Sequence, residues 1–270
     1  MQASIFVMLS HPTNIRYCTI QTPRPENLFR SLLVEKTLAA SKFTPYNHPQ
    51  GPAQVYLLIH GQILRETNEF ERLAKRLNRK EKSQIASLSE YFEFIRRGLV
   101  AHEEGEEEFL FPALEGKFRH VSNSYVFDHD HQNTTVLDSI PKILNELRKN
   151  PDSELQDKLN RHAIAFNTLI HLHVIKENEM LLPVMYGSLT TEEQAGIMRK
   201  MSEHVPPEIS GPWLSKTFAA LNMIDREKLL RALIQVAPPN KFSMIAKSLS
   251  NIASPGDWQM LILKIPELSC

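Results

Sequence analysis

From Ala53 onward the chain sets apolar residues three and four apart over long stretches with almost no proline or glycine, the pattern of amphipathic helices. Four helices are predicted. The first covers 53–78, with Val55, Leu58, Ile59, Ile63, Leu64, Phe70, Leu73 and Leu77 along its inner stripe. The second covers 80–111 and is expected to stop before Pro112, because proline lacks the backbone donor that continues a helix. The third covers 123–149. The fourth begins after "NPDSE", where Asp152 or Ser153 is a suitable cap with acidic residues in the first turn, and is expected to end before Pro183.

Four helices of this length with short connections predict an all-α fold, an antiparallel up-and-down four-helix bundle over 53–187 with no strand. Residues 1–52 hold Pro12, Pro23, Pro25, Pro45, Pro49 and Pro52 and a single helical run, "ENLFRSLLVEKTLAASK", which predicts an N-terminal arm with one short helix. Residues 188–270 form a C-terminal extension of shorter helices near 191–203, 212–221, 225–236, 241–250 and 255–263. Trp213, Leu214, Phe218, Leu229, Leu230, Leu233 and Ile234 are too apolar to leave in water. The extension is therefore expected to pack on the bundle or to offer a surface for a protein partner or for self-association.

Composition narrows the function. Lys+Arg and Asp+Glu are equal at 31 each, so no basic field draws in nucleic acid or an anionic membrane. Cys18 and Cys270 lie at opposite ends of the chain, which excludes a disulfide framework and a cysteine zinc site and points to a reducing, cytoplasmic setting. The apolar run "ASIFVML" is too short for a membrane span and lacks the basic flank of a signal peptide. The 11 histidines are the compositional feature that calls for an explanation.

Part of that explanation is a repeat. "HEEGEEEFLFPAL", from His102, returns as "HVIKENEMLLPVM", from His173, each with a glutamate four residues after the histidine (Glu106, Glu177) and a proline ten after it (Pro112, Pro183). Four residues on a helix bring an imidazole and a carboxylate onto one face. His60 sits in the apolar run "VYLLIHGQIL" of the first helix, and His129 and His131 sit in "YVFDHDHQN" at the start of the third. His60 to His102 and His131 to His173 are both spaced by 42. Two helical hairpins packed together would gather at least four imidazoles and two carboxylates, a cluster costly to bury without a cation. Mixed imidazole and carboxylate donors suit iron or manganese better than calcium or structural zinc.

At these residues, over about Gln54 to Tyr186, the chain resembles the hemerythrin-like, or HHE cation-binding, family. The tract from His102 through "FPALE" to "SYVFDH" resembles in particular the hemerythrin-like domains of BRUTUS-type plant iron-sensing ubiquitin ligases. The resemblance implies two non-haem iron ions bridged by carboxylates, with manganese or zinc less favoured. Carried over by position, it implies His60, His102 and His173 as terminal ligands, Glu106 and Glu177 as bridges, and His129 as the ligand of the third helix. His131 stays open as a substitute for the second histidine that oxygen carriers place four residues after the third-helix ligand, where this chain has Asn133. Otherwise one iron keeps an open position or takes water or a carboxylate such as Glu103.

Plainer readings stand beside these. Glu104 and Glu107 read as a solvated face, Glu108 as a surface or outer group, and His162 and Glu66 as surface. His171 alternates with His173, so only one of them faces inward, and His173 shares the repeat's proline spacing. The function expected is a di-iron protein that binds oxygen or peroxide or senses iron or redox state. The alternatives are a di-iron oxidase or oxygenase on a small organic substrate and a metal-free helical scaffold. No ring-type zinc module or other effector domain follows the bundle, so the ubiquitin-ligase role is not carried over and the chain is expected to act alone.

Overall fold

The computed structural model describes residues 51–269, at Asn133 the backbone only, so the N-terminal arm with its helix lies outside the described residues. Helix α1, Gln54–Arg76, keeps Tyr56, Ile63 and Phe70 inward at sevenfold spacing. Helix α2 runs Lys82–Gly105, continues through a π-helical turn Glu106–Leu110 and ends as Phe111–Glu115. Helix α3 runs Asn123–Gln132, passes a π turn Asn133–Leu137 and resumes as Ser139–Lys149. Helix α4 runs Ser153–Lys176, passes a π turn Glu177–Leu181 and closes as Leu182–Ser188. Helix α1 packs on α2 and α4, and α3 on the same two, which closes the four-helix ring; the described residues include no strand.

Helices α2 and α4 do not stop at their prolines. Phe111 N–H closes the π turn onto the Glu106 carbonyl, and Leu182 N–H closes the other onto Glu177, in each case immediately before the proline. Pro112 and Pro183 each take the second position of the α-helical segment that follows the π turn, within the first turn, where proline is tolerated. At the start of α4, Asp152 holds the cap position in extended conformation, but its side chain closes no cap bond.

The π turns also set which residues face inward. At about 100° per residue, a straight helix would place the seventh and eleventh residues after each histidine beneath it. One inserted residue moves that role to the eighth and twelfth. Leu110 and Leu114 after His102, and Leu181 and Met185 after His173, are all fully buried, whereas Met180 is 61% exposed.

Away from the histidines the bundle is apolar. Phe70, Phe92 and Phe166 meet with ring centroids 4.9, 5.5 and 6.0 Å apart, surrounded by Ile63, Ile95, Ile140 and Ile170. A second apolar cluster, including Leu110, Leu114, Leu181 and Met185, fills the interior around the π turns.

Five further helices follow: α5 Thr191–His204, α6 Pro207–Ala220, α7 Met223–Val236, α8 Pro239–Ser250 and α9 Pro255–Lys264. Helix α5 opens with a capping box, Thr190 Oγ accepting from Glu193 N–H at 3.2 Å while Glu193 accepts from Thr190 N–H at 2.7 Å. Helix α6 starts earlier than its apolar pattern indicated, at Pro207, where a missing donor is harmless. Helices α5, α6 and α7 pack on the bundle, α8 packs on α6 and α7 and α9 on α7, and bundle and extension form one unit, Pro49–Cys270. Trp213 of α6 lies in a notch at Gly98, where an added Cβ would come within 2.1 Å of the indole, and stacks on Phe94 at 5.3 Å. Glu66 of α1, read as surface, is buried. It accepts from Tyr91 at 2.5 Å and from Lys216 of α6 at 3.0 and 3.1 Å.

Candidate metal centre

The apolar interior is interrupted by one polar layer. His60 from α1, His102 and Glu106 from α2, His129 from α3, and His173 and Glu177 from α4 converge there. Each histidine–glutamate pair straddles the junction at which α-helix becomes π turn, so both glutamates are the first residue of their turn.

The ligating atoms sort into two groups, each with its donor atoms within 4.8 Å of one another. In the first, His60 Nε2 lies 3.0 Å from His102 Nε2, His102 Nε2 lies 3.3 Å from Glu106 Oε1, and His60 Nε2 lies 3.4 Å from Glu177 Oε2. In the second, His129 Nε2 lies 3.1 Å from His173 Nε2, His129 Nε2 lies 3.4 Å from Glu106 Oε2, and His173 Nε2 lies 3.1 Å from Glu177 Oε1. Each carboxylate thus turns one oxygen toward each pair of imidazoles. Two groups with shared carboxylates are what two adjacent cations would need.

The outer ring nitrogens are held by neighbours. His60 Nδ1 meets Asn178 Oδ1 at 2.7 Å, His129 Nδ1 meets Glu107 Oε1 at 2.7 Å, and His173 Nδ1 meets Asp128 Oδ2 at 3.4 Å. Lys176 Nζ braces Asp128 at 2.6 Å. Such contacts turn the Nε2 lone pairs inward, the orientation that ligation requires. Tyr56, one turn before His60, packs its ring 4.1 Å from that imidazole and donates its hydroxyl to Glu106 Oε1.

Without a cation the layer is electrostatically poor. Glu106 Oε2 and both oxygens of Glu177 are buried and accept no hydrogen bond from the described residues. Burial and the neighbouring Glu106 charge push the Glu177 carboxyl well above its ordinary range. Burial opposes ionisation of Glu106 too, but His102, His129 and His60 outweigh it and hold that group below the ordinary range. Burial presses His60 down to about 3 and also lowers His102 and His173, so these imidazoles stay neutral and available to ligate. For His129 burial is overcome by Glu106, with help from Glu103 and Glu107, which lifts it to about 10. The orphaned oxygens and neutral imidazoles fit a pair of borderline cations with oxygen and nitrogen ligands.

The structure brings six of the seven sequence-derived residues together and leaves out His131. Two residues from His129, on the other side of the helix, His131 is exposed and stacks on Phe127 with centroids 6.2 Å apart. His171 likewise faces away from the layer, toward Asn68. Glu103 is buried, and its charge acts on His129, His173 and Glu177. Glu107, read as solvated, is exposed and also meets His129 Nδ1 through Oε1 at 2.7 Å. Glu108 and Glu104 are surface groups that pair with His204 of α5. Tyr56, Asn178, Asp128 and Lys176 escaped the sequence reading. All four carried a positional hint, since Tyr56 precedes His60 by one turn and Lys176, Asn178 and Asp128 adjoin ligand candidates.

Residues 52–185 match the family model of the hemerythrin HHE cation binding domain. The chain is similar to the Arabidopsis thaliana zinc finger protein BRUTUS, at 22% identity over 205 residues, covering 75% of this chain and 16% of that protein. Two BRUTUS-like zinc finger proteins of the same plant match at 22% over 199 residues and 25% over 159, covering 72% and 50% of this chain and 15% and 12% of theirs. The chain thus spans less than a fifth of the length of each of these relatives. No solved structure matches it. No helix among the described residues is long and apolar enough to cross a membrane.

Proposed function

This chain belongs, through residues 52–185, to the hemerythrin HHE cation-binding family, and on that premise we propose that it is a non-haem di-iron protein that binds dioxygen or peroxide, or reports on iron or redox state, through the His/Glu layer. One observation carries the proposal: four carboxylate oxygens divided one by one between two imidazole pairs. Six ligands are assigned on that basis. His60 and His102 would hold the first ion and His129 and His173 the second, with Glu106 and Glu177 shared between them. His131 is not included, because its exposed position faces away from the layer.

Imidazole with carboxylate is a donor set that iron accepts in both common oxidation states, which supplies the redox chemistry. The chain's own part is to hold these donors in a dry interior. His102 has 12% of its side chain exposed, while His60, His129 and His173 have 6% or less, so His102 is the imidazole nearest solvent. Glu103 is buried and its charge acts on His129 and His173, which makes it the carboxylate available beside the six where oxygen carriers have another histidine and this chain has Asn133. The two widely separated cysteines support a reducing, cytoplasmic setting.

The test is an optical spectrum of protein loaded with ferrous iron under nitrogen and then exposed to air or peroxide. New charge-transfer absorption in the near ultraviolet on oxidation is expected. A spectrum unchanged by either oxidant would contradict the assigned chemistry.

A further inference from the structure

The two halves of the layer have matching inner donors and different surroundings. Behind the second half stand anions. Glu107 Oε1 backs His129 Nδ1 at 2.7 Å, and Asp128 Oδ2 backs His173 Nδ1 at 3.4 Å. Lys176 Nζ fixes Asp128 in place at 2.6 Å while also donating to the Ser124 carbonyl at 2.8 Å. Behind the first half stand neutral groups. His60 Nδ1 meets the amide oxygen of Asn178 at 2.7 Å, and Tyr56 donates its hydroxyl to Glu106 Oε1, the oxygen turned toward that half.

These differences act in one direction. A carboxylate behind an imidazole orients the ring and also makes its far nitrogen a stronger donor to a cation, whereas an amide orients it without adding charge. A hydroxyl bonded to a carboxylate oxygen withdraws electron density that the oxygen would otherwise offer a metal. The imidazole nearest solvent, His102, belongs to the first half, while in the second half solvent reaches the outer carboxylates Glu107 and Asp128 rather than the imidazoles.

We propose that the second position, His129 with His173, is the tight and persistently filled site, and that the first, His60 with His102, is the weaker, exchangeable one through which the protein reads metal supply. The inference rests on the dinuclear reading above. The device that separates the affinities is the outer pairing of Glu107 and Asp128 against Asn178 and Tyr56, none of which is among the six assigned ligands.

The experiment is an anaerobic titration of the metal-free full chain with cobalt(II), followed by calorimetry and visible absorption. Two steps differing at least about tenfold in affinity are expected, since outer partners of this type typically change metal affinity by about 10–100-fold. Asp128→Asn and Glu107→Gln should weaken the tight step by that factor and leave the weak step in place. Asn178→Asp and Tyr56→Phe should tighten the weak step and draw the two together, a gain that damage to folding cannot mimic. Two equal steps in the unaltered protein would overturn the inference while leaving the dinuclear reading intact. So would Asp128→Asn weakening only the weaker step. Uptake of no cobalt, or of one ion, would overturn the dinuclear reading and the inference together.

Discussion

The same four helices enclose two regions of opposite chemistry. Around Phe70, Phe92 and Phe166 the interior is apolar, and the contacts are complete as they stand. At the His/Glu layer the interior holds four imidazoles and two carboxylates, with three carboxylate oxygens unpaired. The first region stabilises the bundle unconditionally. The second pairs Glu106 with His129 but leaves Glu177 buried without a hydrogen-bond donor, so it needs a cation to become fully favourable. The bundle is therefore a scaffold at one level and a receptor at the next, and metal and stability are coupled through the second alone.

The largest expected effect tests the scaffold. Phe166→Ala should cost about 3–5 kcal/mol, by equal amounts in metal-loaded and metal-stripped protein, measured by urea unfolding. A cost confined to one of the two forms would break the distinction between the regions. Next comes Glu106→Ala, whose effect should grow with metal. In loaded protein it should remove the stabilisation that metal supplies, about 2.7 kcal/mol when free metal stands at 100 times its dissociation constant. In stripped protein it removes the partner that keeps His129 protonated in the core, so the melting temperature should fall there too, but by less than in loaded protein.

Acidity offers a third comparison. Stripped protein should be most stable near the ordinary histidine pKa of about 6.5. Below it, the unfolded chain takes up protons at His60, His102 and His173 that burial keeps off the folded core, so stability falls as pH falls. Glu177, raised by burial and by Glu106, opposes this with a single proton and does not reverse it. Above that pH the sign turns. His129, lifted to about 10 chiefly by Glu106 against the pull of burial, and Glu177 hold protons that the unfolded chain has released, so stability declines as pH rises. Unfolding midpoints from pH 5 to 9 would show the maximum, and the loss caused by Phe166→Ala should stay constant across the range.

The smallest effect concerns the attachment of the extension. Gly98→Ala forces Trp213 out of its notch and should cost about 1–3 kcal/mol, as overpacked sites do. Limited proteolysis should then cut more readily between α5 and α7, with metal content unchanged, since Gly98 lies one turn before His102 and contributes no donor.

What the sequence disclosed follows from how local each signal is. The imidazole–carboxylate pairs were legible because four residues on a helix define a face, and the repeat identified both at once. The π turns left a readable trace, leucines or methionine at the eighth and twelfth positions after each histidine, but helical periodicity alone took Pro112 and Pro183 as stops. The contact of Glu107 with His129 was illegible, because Glu107 is as exposed as the acidic run suggests and its partner lies on another helix. Glu66 was illegible for a different reason. Its burial depends on Lys216, 150 residues away, and on the seating of Trp213 at Gly98, which no local window contains.

The central claim is that Glu106 and Glu177 each serve two cations at once, and elemental analysis of protein purified without chelator tests it most directly. The account predicts about two iron ions per chain, as in other dinuclear carboxylate bundles, and loss of both from Glu106→Ala, because the bridge belongs to each site. Metal-free wild-type protein, or a Glu106→Ala variant that keeps its full metal content, would contradict it.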